Sequence, residues 1–362
     1  MRIEQMPSPA VAVDLDLFEQ NCDIIMERAR RAGVAVRPHF KTHKSMYLAE
    51  IQRAHGMDRW TAAKLSEAEM LVNGGFDNIL VAFPLMGEEK WTRYAALNRL
   101  REMYTTIDSE TIARGLSDAC GAEHPAKVLV EIDVGTGRCG VAPENLETFV
   151  QSVRALPGLR IAGLFTYNNL MYSCDSDAKR RELAEQETAV IAQCRKTLEM
   201  LGIAVEMVSS GNTPATTVMD AYTASTEIRT GKSFFHDGKD VEAGTGDWEH
   251  CALSVWATVV SIPKPGHATI DVGSKTLTKE SALRMPGNGT ILNVPGLDFY
   301  NTNEEHGYVR YDPEQVTLHL GDRVRVIPNH ACMLHNQLGH VYGVRGGEVV
   351  ARYQVDAQGC NY

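Results

Sequence analysis

"VAVRPHFKTHK", residues 34–44, is the stretch on which the fold turns. Its first half is an apolar run that reads as a short buried strand. Its second half places an arginine, two histidines and two lysines within residues 37–44. A solvated loop needs no such density. A strand buried on both faces that releases polar residues at its carboxyl end belongs to a parallel α/β sheet, where ligand chemistry collects at strand ends. A site that holds an anion, or keeps one lysine deprotonated, would use this composition.

The same alternation extends outward. From residue 10 to about 235, the strand candidates are "AVAVDLD", "VAVRPHF", "WTAAK", "NILVAFP", "YTTID", "KVLVEIDV", "IAGLFTY", "VEMVSSG" and "TEIRTGKSFF". Amphipathic stretches such as "FEQNCDIIMERARRAG" and "DAKRRELAEQETAVIAQCRKTLEMLG" separate them. Roughly eight such units suit a (β/α)₈ barrel, and an open doubly wound sheet has the same pattern. After about residue 245 the texture changes: "ALSVWATVVSIPKPGHATIDVG", "QVTLHLGDRVRVIPNH" and "HVYGVRGGEVVARYQV" are strands joined by Gly, Pro and Asp turns. They read as a separate, mostly antiparallel β domain. The expected division is 8–240 for the barrel-type unit and 245–362 for the β domain, which residues 1–7 could join.

The 362 residues, 44% hydrophobic and 23% charged, suffice for one large or two folded domains. A net charge of −10 and a pI near 5.7 argue against nucleic-acid and anionic-membrane partners, so the basic cluster is a local exception. "MRIEQMPSPAVAVDLD" meets acidic residues before a signal-peptide core could form, and no apolar run is long enough to span a bilayer. Eight cysteines without a CxxC pair are too sparse for a disulfide framework. The expectation is a cytoplasmic protein with reduced thiols.

Several strand ends carry chemistry. Lys41 lies just past a strand in a cationic setting that lowers an amine pKa, as Schiff-base chemistry requires; a solvated basic loop explains the same residues. "VEIDVGTGRCGV" follows Asp133 with glycines that allow close backbone approach and with Arg138, a rigid fork for an oxyanion; ordinary turn chemistry also explains the glycines. "VSSGNTPAT" sets Ser209, Ser210, Gly211, Asn212 and Thr213 before a helix-like segment, which suits one phosphate or a simple helix cap. In "IPNHACMLHN", His330 and Cys332 would share a face if the segment is a strand, and two ligands leave a metal site open. "TNEEHGYV", with Glu304, Glu305 and His306, reads as a polar turn. Together these offer an imine lysine, a monophosphate cradle, an arginine for a phenolate and an open metal pair. A phosphorylated aldehyde cofactor uses all but the last.

"PSPAVAVDLD", "RPHFKTHK", "DVGTGRCGV", "SSGNTP", "TEIRTG", "DVGSKTLT", "EEHG" and "PNHAC", in this order, resemble the D-threonine aldolase and D-serine dehydratase family. The resemblance implies pyridoxal-phosphate chemistry on the alanine-racemase fold type. It implies an N-terminal (β/α)₈ TIM-like barrel carrying the cofactor, a C-terminal β domain carrying a divalent metal, and a homodimer with a shared active site. Carried over, Lys41 is the Schiff-base lysine, and the other cations of its stretch hold it neutral around an anionic cofactor. Arg138 faces the pyridoxal O3′. Ser210, Gly211, Asn212 and Thr213 form the phosphate loop, joined by the backbone amides of Gly231 and Lys232. Tyr167 and Arg229 compete for the ring-nitrogen side. His330 and Cys332 are the metal pair, which suits Zn²⁺ better than Mn²⁺. The sequence departs from the family pattern at Asn168 and Asn169, at Ser233, and at Gln337 and Gly339, all assigned to the substrate side.

The function so implied is a lyase acting on D-configured β-hydroxy amino acids. Retro-aldol cleavage of D-threonine-like substrates to glycine and an aldehyde comes first. Dehydration of D-serine or D-3-hydroxyaspartate to a keto acid and ammonia is the alternative. An amino-acid racemase and a non-catalytic pyridoxal-phosphate carrier are further alternatives.

Overall fold

The computed structural model describes residues 1–280 and 287–362. The chain opens with strand β1 (Ala10–Asp14) and helix α1 (Leu15–Ala32). Eight strands follow: β2 (Ala35–Pro38), β3 (Trp60–Ala62), β4 (Ile79–Val81), β5 (Met103–Ile107), β6 (Ala126–Ile132), β7 (Leu159–Thr166), β8 (Met207–Ser210) and β9 (Glu227–Thr230). All their pairings are parallel, in the order β2-β9-β8-β7-β6-β5-β4-β3, and a bridge from His39 to Thr61 joins the two ends. The sheet is therefore a barrel, not an open doubly wound sheet. Helices α2 (Met46–Ala54), α3 (Leu65–Asn73), α4 (Glu88–Asn98), α5 (Glu110–Cys120), α6 (Leu146–Val153) and α7 (Asp177–Met200) lie between these strands in the chain. The "VLVEI" run of β6 is buried throughout, as expected for a strand covered on both faces.

After α8 (Gly238–Glu242) the chain changes to antiparallel pairing. Its strands are β10 (Leu253–Lys264), β11 (His267–Ile270), β12 (Gly289–Ile291), β13 (Asp298–Thr302), β14 (Gly307–Arg310), β15 (Arg323–Pro328), β16 (His340–Arg345) and β17 (Glu348–Gln354), with α9 (Ser274–Leu277) and α10 (Ala331–Gln337) between them. Gly346 and Gly347, with φ of 53° and 79°, make the tight β16–β17 hairpin, whose two-residue turn needs positive φ at both positions.

One sequence expectation changes here. "AVAVDLD" is not a barrel strand: β1 pairs antiparallel with β10 and parallel with β16. Its apolar run signals burial on both faces, but periodicity does not say which sheet buries it. Contacts within the chain group the residues into two units that do not follow its linear order. One unit comprises residues 1–23, 42–51 and 232–359, and the other 24–41, 52–231 and 360–362. The segment 42–51 joins the first because Asp356 Oδ2 accepts the Met46 N–H at 2.6 Å and Tyr47 stacks on Tyr353 at 4.9 Å.

Candidate active site

The cationic cluster that opens the argument is dispersed, not pooled. Arg37, on β2, is fully buried and gives Nε to Glu227 Oε1 at 2.6 Å, Nη1 to the Asn78 carbonyl at 2.7 Å and Nη2 to Asn78 Oδ1 at 2.9 Å. Lys44 is buried, in left-handed backbone conformation, with Nζ on Asn336 Oδ1 at 2.8 Å. The His43 Nδ1 accepts the Ser45 N–H at 3.1 Å. Lys41 alone is exposed, in the 3₁₀ turn Phe40–Thr42, and forms no hydrogen bond or ion pair among the described residues. The expectation that its cationic neighbours hold it neutral is thus corrected for Arg37 and Lys44, whose charges are committed elsewhere.

Three other strand ends of the barrel unit collect the remaining polar residues. Past β6, Asp133 Oδ1 accepts the N–H groups of Gly135, Thr136 and Gly137 at 2.8–3.1 Å and so shapes the loop that carries Arg138. The Arg138 guanidinium lies 4.0 Å over the Tyr167 ring and 3.6 Å from Glu131 Oε1. Burial raises the Glu131 carboxyl above its ordinary value, against the pull of Arg138 and Arg229. The structure therefore brings Arg138 and Tyr167 together. Arg229 is buried instead, 3.8 Å over the Phe165 ring, with Nη1 on Ser209 Oγ at 2.8 Å and Nη2 on the Thr166 carbonyl at 2.5 Å. Burial draws it down to about 10, with Glu227, Glu187 and Glu131 opposing, so it stays charged at neutral pH.

At the end of β8, Ser210 Oγ accepts from Ser225 Oγ at 2.8 Å. Asn212 gives Nδ2 to the Asn168 carbonyl at 2.7 Å, and Thr213 Oγ1 is 3.5 Å from Thr230 Oγ1. Gly211 has φ of 74°, and a Cβ there would come within 2.9 Å of Ile228 Cγ2, so only glycine leaves this loop its close approach. The helix-like segment that follows is a 3₁₀ turn, Pro214–Thr217. Gly231 ends the barrel unit and Lys232 begins the next stretch of the other. The Lys232 ammonium lies on Asp237 Oδ1 at 3.1 Å and Asp240 Oδ1 at 2.7 Å.

Glu187 escapes sequence reading altogether. It is buried on α7, accepts from the Tyr222 hydroxyl at 3.2 Å, and is raised by burial to about 7. Nothing in "AEQETAVIAQ" marks this glutamate as different from its solvated neighbours.

In the other unit, His330 and Cys332 come together, though not on a strand. β15 ends at Pro328, His330 caps α10, and Cys332 sits in that helix's first turn. The strand-face reasoning therefore fails while the pair it suggested is present. Burial would lower the His330 imidazole, but the hydrogen bond and charge of Cys332, with Asp237, raise it to about 9. His330 Nδ1 lies 2.5 Å from Glu280 Oε2, and Cys332 Sγ donates to Thr42 Oγ1 at 3.5 Å. No cluster of three or more His, Cys, Asp or Glu suited to a metal occurs among the described residues. Asn168 caps a 3₁₀ turn through its own side chain, and Ser233 is buried.

Residues 13–237 match the family model for the alanine racemase N-terminal domain, and residues 252–344 that for a putative serine dehydratase domain. A D-threonine aldolase from Arthrobacter sp is 31% identical over 99% of this chain and 94% of its own. This chain belongs to the D-threonine aldolase and D-serine dehydratase family. Solved structures of that family superpose along its length. A D-threonine aldolase from Filomicrobium marinum does so with a TM-score of 0.91 at 30% identity, covering 100% of this chain and 98% of that one. The D-threo-3-hydroxyaspartate dehydratase from Delftia sp. HT23 gives 0.91 at 28% identity, covering 98% of each. A D-threo-3-hydroxyaspartate dehydratase has also been solved as a histidine-to-alanine variant and as a metal-free cysteine-to-alanine variant, with the two replaced residues two positions apart. Among the described residues of the present chain, no helix is long and apolar enough to cross a membrane.

Proposed function

We propose that this protein is a pyridoxal-phosphate- and divalent-metal-dependent lyase that cleaves D-configured β-hydroxy amino acids, by retro-aldol scission of Cα–Cβ to glycine and an aldehyde. The observation that carries the reading is the meeting of His330 and Cys332 at the start of one helix, which supplies an imidazole and a thiol for a metal.

The residues fit both groups. An exposed amine without an ion pair, a loop that only glycine allows, and an arginine stacked on a tyrosine suit a phosphorylated pyridine aldehyde. An imidazole and a thiol suit Zn²⁺, and two protein ligands leave positions for solvent and substrate. When bound, the cofactor supplies an electron sink for the pair released at Cα, and the metal supplies a Lewis acid for the substrate hydroxyl. The rest is the work of the chain. Lys41 provides the primary amine that carries the cofactor. Ser210 to Thr213, with the amides of Gly231 and Lys232, hold its phosphate. Arg138 neutralises its phenolate oxygen, with Tyr167 beneath as a platform. Arg229, fixed by Ser209 and Thr166, would supply a positive charge on the ring-nitrogen side; in the competing assignment the neutral Tyr167 ring would face that side instead. His330 and Cys332 hold the metal.

The same set serves β-elimination to a keto acid and ammonia, and the thiol in the donor set favours that second reading through its preference for zinc. The substrate is a small amino acid, and the family expectation of a dimer with a shared active site stands as part of this proposal. Borohydride reduction followed by peptide mapping labels Lys41; labelling at Lys44 or Lys275 removes the assignment. Cys332→Ala loses turnover of D-threonine and D-serine and keeps the visible absorbance of the bound cofactor. Full activity in that variant, or in metal-stripped protein, refutes the lyase mechanism. Product analysis decides the branch: glycine with an aldehyde, or ammonia with a keto acid.

A further inference from the structure

Helix α10, which carries Cys332, starts without a cap of its own. The side chain of its N-cap residue, His330, accepts from no backbone N–H of the first turn, although the leading N–H groups of any helix lack partners within it. The Ala331 N–H goes instead to Asp237 Oδ2 at 2.9 Å, from 94 residues earlier in the chain. Asp237 is fully buried, and its other oxygen accepts from the Asp240 N–H at 3.0 Å and from Lys232 Nζ at 3.1 Å. One carboxylate thus caps two helices, α8 and α10. The residue it holds in α10 lies between His330 and Cys332, so the bond fixes the backbone from which both side chains leave.

Helix α8 adds a second tie to the same segment. The Lys239 N–H donates to the Asn329 carbonyl at 3.3 Å. Lys239 Nζ lies 2.7 Å from Glu280 Oε2, the oxygen that meets His330 Nδ1. With Nδ1 so engaged, Nε2 is the nitrogen left for a metal. A carboxylate behind a ligating histidine is a common outer shell, and losing such a partner typically costs about 10–100-fold in metal affinity.

We propose that Asp237 is the positioning residue of the metal pair: its carboxylate, neutralised by Lys232, sets the backbone between His330 and Cys332 and thereby the affinity for the metal. The proposal rests on the reading of that pair as metal ligands.

The test uses full-length holoenzyme, stripped with a chelator and titrated with Zn²⁺ against a chromophoric competitor, with cofactor absorbance and Tm recorded for each variant. Asp237→Ala loses about tenfold or more in Zn²⁺ affinity. Asp237→Asn keeps an acceptor oxygen but not the charge, loses less, and carries the test if the alanine variant does not fold. Both keep the visible absorbance of the cofactor. Asp271→Asn controls for a merely structural role. Asp271 belongs to the same unit and accepts the Thr258 N–H at 2.7 Å and the Ser8 hydroxyl at 2.6 Å; its replacement lowers Tm without moving Zn²⁺ affinity. Wild-type affinity in the Asp237 variants overturns the proposal, as does a loss that Asp271→Asn matches at an equal fall in Tm. Cys332→Ala separates this result from the underlying reading. If that variant binds Zn²⁺ as the wild type does, the metal assignment is wrong. If it loses Zn²⁺ while the Asp237 variants do not, only the positioning role falls.

Discussion

In the barrel, Arg37, Glu227, Ser209 and Arg229 stand on neighbouring parallel strands and find one another across the ladders. Ser209 is level with Glu227, and Arg37 is level with Arg229. In the other unit, Lys232, Asp237, Asp240, Glu280, His330 and Ala331 are joined by contacts between chain segments, the longest spanning 94 residues, from Asp237 to Ala331. The first network is dictated by register and leaves its charges paired. The second is a convergence of loops, and one of its oxygens, Asp240 Oδ2, has no partner among the described residues. Burial and the charge of Asp237 push the Asp240 carboxyl upward, so that site can relieve itself by taking up a proton. A paired strand network and a convergent loop network should therefore answer differently to the loss of one charge.

The largest effect is expected at Arg37. Arg37→Ala takes the nearest cation from the fully buried Glu227 and leaves it Arg59 at 3.5 Å, and breaking such a buried pair costs about 3–5 kcal/mol. Urea denaturation at pH 7 measures it. Lys232→Ala also strips buried carboxylates of their cation, but proton uptake at Asp240 reduces the cost to about 1–3 kcal/mol. If the two variants lose equal stability, the distinction between the networks collapses.

Glu187 gives the next largest effect, and it appears as pH dependence. Its carboxyl titrates at about 7 in the folded protein against an ordinary 4.5. The folded state therefore binds the extra proton between these values. The stability this contributes is complete below about 4.5 and is lost as pH rises through about 7. Glu187→Gln removes that slope. Between pH 4.5 and 8, the stability of the variant relative to wild type should improve by on the order of 3 kcal/mol. A parallel pair of pH profiles would show that Glu187 titrates normally.

The contrast also explains what the sequence could tell. Eight of the nine strand candidates before residue 235 became barrel strands because the apolar runs are buried and, but for the 3₁₀ turns between β8 and β9, separated by helices. The candidate site residues that follow β2, β6, β7, β8 and β9 could be picked out because parallel strands deliver polar residues at their carboxyl ends. The ninth run, β1, misled because a doubly buried strand looks the same in either sheet. Asp237, Glu280 and Glu187 were invisible for another reason: their roles come from contacts 94, 50 and 35 residues away, and no local period encodes those. The His330–Cys332 pair was found through the wrong geometry. Two residues can meet across a strand-to-helix turn as well as on one face of a strand.

Gly211 tests the barrel side with a smaller effect. A valine there must take φ of 74° and displace Ile228, so cofactor affinity should fall at least tenfold, about 1.4 kcal/mol, by spectroscopic titration. Unchanged affinity would place the phosphate elsewhere.

The smallest effect on stability is expected at Arg138, and it bears most directly on which barrel arginines serve the fold and which serve the site. Its side chain is 45% exposed, and its contact with Glu131 is long, at 3.6 Å. Water screens such a pair, whose worth is typically about 0–1 kcal/mol. The stacking on Tyr167 adds little at an exposed position. Glu131 also keeps the pull of the buried Arg229 when Arg138 is removed. Arg138→Ala should therefore cost no more than about 1 kcal/mol in urea denaturation, while weakening cofactor binding or turnover far out of proportion to that loss. If it costs as much stability as Arg37→Ala, Arg138 is a structural bolt like the buried arginine, and its assignment to the cofactor's phenolate oxygen loses its physical basis.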